Sequence, residues 1–123
     1  MVQLLYKELS YKIVGCFYSV YNTLGPGHKE DVYQKALKIE FDEQKIKYVS
    51  KKRLKIEYKN KQVGIYEPDF IVEDKIVIEL KSVLHMPKVH EQQLYHYLKG
   101  SEYKLGYIVN VGSEKIDIRR RVF

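Results

Sequence analysis

Pro68-Asp69-Phe70-Ile71-Val72-Glu73-Asp74-Lys75-Ile76-Val77-Ile78-Glu79-Leu80-Lys81 is the stretch from which the rest of the chain can be read. Two apolar, mostly β-branched runs flank the polar Glu73-Asp74-Lys75, the pattern of two antiparallel strands joined by a tight hairpin. With the turn centred on Asp74, residues whose numbers sum to 148 face each other, so Asp69 lies opposite Glu79. Directly opposed side chains have Cβ atoms about 4.5–5.5 Å apart. Because side chains alternate along a strand, Lys81 shares the face of Glu79, while Phe70, Val72, Ile76, Ile78 and Leu80 share the other.

Two carboxylates so placed repel and weaken a sheet unless something offsets the charge. A hard divalent cation does so, since Mg²⁺ typically takes one or two carboxylates together with waters and substrate phosphates. Lys81 is placed to orient or deprotonate a water, or to neutralise charge building on a phosphate. The competing account is a solvated strand face, with Asp69 as a strand-entry residue after Pro68.

Pro68-Asp69 followed by Glu79-Leu80-Lys81 resembles the signature of the PD-(D/E)XK nuclease superfamily, and Gly27, Glu30 and Tyr33 fit the pattern of its GxxExxY family. Gln93 and Tyr97 have the QxxxY spacing of RecB-like members, in the expected order. The resemblance runs from about Leu24 to the C-terminus. It implies a restriction-endonuclease-like α/β core in a single domain over residues 1–123, and hydrolysis of phosphodiester bonds with Mg²⁺ or Mn²⁺. Asp69, Glu79, the Leu80 carbonyl and Glu30 are the implied metal ligands. Lys81 is the implied water-activating or charge-stabilising group, and Gln93 and Tyr97 position it and the substrate. Tyr33 and His90 are candidate nucleic-acid contacts. The alternative is a nuclease-fold module without turnover that binds nucleic acid or a protein partner.

The 123 residues, 45% of them hydrophobic, suffice for one core without metals or disulfides to hold it. A formal charge of +6 favours a polyanionic partner. DNA is the expected nucleic acid, and a second copy, as a homodimer, is a possible partner. Cys16 is the sole cysteine, so no intrachain disulfide forms, which fits a reducing cytoplasm. Its apolar neighbours point to a buried thiol. No run approaches the roughly 20 apolar residues of a membrane span, and no targeting segment is visible.

Leu5, Leu9, Ile13, Phe17 and Val20 predict a helix from about Val2 to Leu24, broken by Gly25-Pro26-Gly27. A second helix, about His28 to Gln44, is expected to bury Val32, Ala36, Leu37 and Phe41. Its first turn holds Glu30, where an acidic residue is also ordinary helix chemistry. Alternation from Ile46 to Tyr58 marks extended structure interrupted near Ser50 to Lys52. With Val63 and Ile65 leading into the hairpin, it predicts a three-stranded antiparallel meander. Pro87 and Gly100 bracket a third helix, and two strands follow, from Tyr103 to Asn110 and from about Lys115. The expected order is therefore α-α-β-β-β-α-β-β around a mixed sheet. His85, His90 and His96 lack the spacing of common zinc sites. Arg119, Arg120 and Arg121 read either as phosphate contacts or as a solvated edge strand.

Overall fold

The structure, a computed structural model, describes residues 6–123; the expected helix start at Val2 and its Leu5 lie outside them. The chain gathers into two compact units. The first holds α1 (Lys7–Leu24) and α2 (Glu30–Glu43), with the segments Leu80–Met86 and Val109–Ile118.

In α1 the expected stripe is buried at Ile13, Phe17 and Val20, joined by Cys16. Burial, and then the nearby Glu40 charge, push the Cys16 thiol up to about 11, so it packs as a small hydrophobe. In α2 the buried positions are Tyr33, Leu37 and Phe41, four residues apart; Val32 and Ala36, expected in the core, are half-buried. The break between the helices uses Gly25 and Gly27 at φ 73° and 96°, a left-handed region that glycine enters without a Cβ penalty.

Buried Asn110 ties two of this unit's segments together. Its Oδ1 accepts from the Val83 and Gly112 amides at 3.1 and 3.0 Å, and its Nδ2 donates to the Val83 carbonyl at 2.9 Å. The backbones approach so closely that a Cβ on Gly112 would lie 2.3 Å from the Val83 nitrogen.

The second unit is Tyr48–Glu79, Pro87–Ile108 and Arg119–Phe123. The strands of the chain are β1 (Tyr48–Ser50), β2 (Leu54–Tyr58), β3 (Lys61–Tyr66), β4 (Phe70–Val72), β5 (Ile76–Lys81), β6 (Leu105–Asn110) and β7 (Asp117–Val122), with helix α3 (Lys88–Lys99) between β5 and β6. Five strands are ordered β1-β4-β5-β6-β7, and β2 pairs with β3 in a separate two-stranded sheet. A strand-helix-strand crossover joins parallel neighbours, so the five-stranded sheet is mixed. The α/β architecture agrees with the expectation, but five strands, not three, precede the third helix. The expected meander is corrected as well: β1 pairs antiparallel with β4, taking the place assigned to the strand of Val63 and Ile65. The chain interrupts at Ser50 and folds back twice, so sequence neighbours are not sheet neighbours.

The expected β4–β5 register holds, with Phe70 opposite Ile78, Ile71 opposite Val77 and Val72 opposite Ile76. Its three-residue loop, Glu73 to Lys75, places Glu73 and Asp74 at φ 52° and 53° and closes with the Lys75 amide donating to the Val72 carbonyl at 2.9 Å. The Tyr103 hydroxyl donates to Asp74 Oδ1 at 2.9 Å. Burial first, then this bond, push the Tyr103 hydroxyl up to about 12.

Gly112→Ala should cost about 1–3 kcal/mol, because backbone rather than a yielding side chain must move; a lowered Tm in thermal unfolding checks this. The raised Tyr103 pKa stabilises the fold fully below the unfolded value near 10, and that contribution is lost as pH rises through about 12. Tyr103→Phe should therefore have a lower Tm than the parent at pH 8, and the gap should narrow above pH 10 in melts run across that range.

Candidate active site

The β4–β5 register carries one step beyond the ladder, to Asp69 and Glu79. The Asp69 amide donates to Glu79 Oε1 at 3.2 Å, as expected of residues facing each other across the hairpin. The Asp69 carbonyl accepts from the Lys51 amide at 3.1 Å, which anchors the strand entry after Pro68. Both acidic residues are half-buried. Ile71 and Val77, on the same face, are buried at 2% and 1% exposure, so the face is covered at those positions and the half-buried carboxylates stand at its end.

Two tyrosines complete the local arrangement. Tyr66, at the end of β3, stacks on Tyr97 of α3 with centroids 3.8 Å apart and planes 9° from parallel. The Tyr66 hydroxyl oxygen is buried and has no hydrogen bond of good geometry. Its pKa is pushed far up by burial and then by the neighbouring Glu79 and Asp69 charges. Tyr97 was expected near the site; Tyr66 was not, since no motif marks it. A tyrosine two residues before Pro68, ending a strand of alternating polarity, carries no signal until the stacking is seen.

Leu80 is buried, and Lys81, two residues after Glu79 in the same strand, is half-buried. On α3, Gln93 is exposed and His90 half-buried. His85 and His96 are exposed. In the first unit, Glu30 opens α2 and, with Gly27, His28, Lys29, Ser82 and Gly112, lines a cleft of about 530 Å³. Tyr33 is fully buried. Its hydroxyl donates to the Gly25 carbonyl at 2.5 Å and accepts from the His28 amide at 3.1 Å, so it braces the interhelical loop and does not reach a nucleic acid.

Two residues of the arginine run share one carboxylate. Arg119 Nη1 lies 3.1 Å from Glu91 Oε1, and Arg121 pairs with the other oxygen of the same carboxylate. Glu91 is 6% exposed, and a buried carboxylate demands such partners. Arg119 and Arg121 thus hold β7 to α3. Arg120, between them, is half-buried.

Among the described residues no group of three or more His, Cys, Asp and Glu side chains could hold a metal ion. Asp69 and Glu79 offer hard oxygen donors, and one or two carboxylates with waters is the usual Mg²⁺ complement; their two charges act together on the buried Tyr66 hydroxyl, so the chemistry of this pair is that of a place where a divalent cation would be stabilised.

The sequence profile of the PD-(D/E)XK nuclease superfamily matches residues 7–122. No curated protein matches the chain. A similar solved structure is the crystal structure of SSO0001, with a TM-score of 0.55 and 20% identity, the match covering 95% of this chain. The chain spans 57% of the length of that protein, and at this identity the likeness concerns the fold alone. A profile match over almost the whole chain, together with a mixed sheet whose central hairpin opposes Asp69 to Glu79, shows that the chain belongs to the PD-(D/E)XK nuclease superfamily.

Proposed function

We propose that this protein hydrolyses phosphodiester bonds in DNA with Mg²⁺ or Mn²⁺ held by Asp69, Glu79 and the Leu80 carbonyl. The observation that carries the reading is the opposition of the Asp69 and Glu79 carboxylates beside a buried hydroxyl. Superfamily membership supports it. The spacing of Gly27, Glu30 and Tyr33 supports a GxxExxY type of member, and the bracing of Gly25 and His28 by Tyr33 gives that tyrosine a structural reason.

When bound, the divalent ion supplies Lewis-acid polarisation of a phosphate oxygen and makes a water more acidic. The remaining work falls to the chain. Glu79 Oε1 is steadied by the Asp69 amide, which keeps the carboxylate from swinging out of the hairpin face. Lys81 presents an ammonium on the face of Glu79, where it stabilises negative charge developing on the phosphate. Tyr97 keeps Tyr66 over the carboxylates by stacking, and Gln93 contacts the substrate backbone.

Asp69→Ala and Glu79→Ala should each abolish cleavage and weaken Mn²⁺ binding while the circular dichroism spectrum stays native. The assay compares single-stranded, duplex and branched DNA and RNA with Mg²⁺, Mn²⁺ or chelator, and full activity in either variant would falsify the assignment. Lys81→Ala should lower kcat by about 10²–10⁴-fold and leave Mn²⁺ affinity near that of the parent. A matching loss of metal binding would show that Lys81 acts on the fold and not on the reaction.

A further inference from the structure

Residues 51–67 carry Lys51, Lys52, Arg53, Lys55, Lys59 and Lys61 against two carboxylates, Glu57 and Glu67. All six cations are exposed, and Arg53 pairs with Glu67 at 3.8 Å. They lie on and beside the β2–β3 ribbon, which forms its own two-stranded sheet. From Glu57 to Val63 every residue is exposed, so the far half of the ribbon meets solvent on both faces.

The register places Lys55 beside Ile65 and Glu57 beside Gln62 on one face and Tyr58 beside Lys61 on the other. Val63 is the extra residue where the register shifts between Ile56 and Glu57. The tip turns tightly through Lys59 and Asn60, at φ 51° and 65°, and the Lys59 ammonium lies 5.5 Å over the Tyr58 ring.

Lysines also serve to keep sheet edges from pairing with other chains. Edge protection, however, calls for charge and not for exposed β-branched and aromatic residues between the charges. Here the charge is almost all positive, and Tyr58, Val63 and Ile65 are 64%, 63% and 42% exposed. A surface of one sign with apolar groups between the charges complements a polyanion that also has apolar edges.

We propose that the β2–β3 ribbon is a DNA-binding arm that enters the major groove of a duplex. Lys55, Lys59 and Lys61 meet phosphates on the groove walls, and Tyr58, on the face it shares with Lys61, meets base edges. A major groove about 12 Å wide admits a two-stranded ribbon, whereas the deep, narrow major groove of duplex RNA does not. The arm also leads to the site. β3 ends at Tyr66, whose hydroxyl neighbours Glu79 and Asp69, so a duplex held by the arm is delivered to the carboxylates; this last point rests on the nuclease reading.

The test measures binding in chelator, without metal or cleavage, to a fluorescent 20-base-pair DNA duplex, to one of its strands and to an RNA duplex, over a range of salt. The parent is compared with a Lys55→Gln, Lys59→Gln, Lys61→Gln variant and with a control, Lys7→Gln, Lys12→Gln, Lys99→Gln, equal in charge and drawn from exposed helix positions. The ribbon variant should melt like the parent, bind duplex DNA at least about tenfold more weakly near 100 mM salt, and lose about 2–3 from the slope of log K against log salt. The control should change by less than about threefold in affinity, and the RNA duplex should bind weakly to all three proteins. No binding of duplex DNA by the parent, equal losses in ribbon variant and control, or a loss confined to the single strand would each overturn the arm. DNA binding through the ribbon by a parent that never cuts would leave the arm standing and end the nuclease reading. Cutting with binding unmoved by the ribbon lysines would do the reverse.

Discussion

The pairing of β4 with β5 is the constraint on which the rest depends. A turn with two left-handed residues, Glu73 and Asp74, sets the register, and the register sets which side chains face each other. Neither turn residue is glycine, so the turn is held against a backbone preference that costs about 1–2 kcal/mol per residue. Burial of Phe70, Ile71, Val72, Ile76, Val77 and Ile78 offsets that cost, since filling both faces of two strands removes large apolar area from water. The hydrogen bond from Tyr103 to Asp74 fastens the turn from a residue far along the chain.

The same register brings like charges together. Asp69 and Glu79 face each other next to a hydroxyl that burial and their own charge keep protonated. A fold built for stability alone would place apolar residues there, continuing the pattern of Ile71 and Val77. Two carboxylates at the end of an otherwise apolar face are where the proposed divalent cation would be held.

Cations elsewhere in the chain fall into two physical classes. Arg119 and Arg121 are drawn inward by buried Glu91 and act as fasteners, because guanidinium groups tolerate such burial when a carboxylate receives them. The lysines of residues 51–67 stay in water and leave their charge available to a partner. Net charge alone cannot separate these classes, although only the second bears on what the protein binds.

Much of the fold was legible in the sequence because it rests on local contacts. The helices follow from apolar spacing, and the β4–β5 register follows from a short turn between two β-branched runs, which placed Asp69 opposite Glu79. What lay beyond reach depends on residues distant in sequence. Tyr48 to Ser50 alternate no differently from Lys61 to Tyr66, so alternation could not say that β1, not β3, pairs with β4. The stacking of Tyr66 on Tyr97 joins residues 31 apart in number, and neither has a distinguishing neighbour. Tyr33 at helical spacing does not tell whether its hydroxyl turns back to Gly25 or outward, and three consecutive arginines do not announce Glu91. The sequence by itself determined the three helices and the β4–β5 hairpin that sets Asp69 opposite Glu79, since short loops leave few ways to close. Only the tertiary structure decided which strand edges meet and which charges are consumed by the fold, because those choices are made by burial between segments whose order in the chain says nothing of their distance in space.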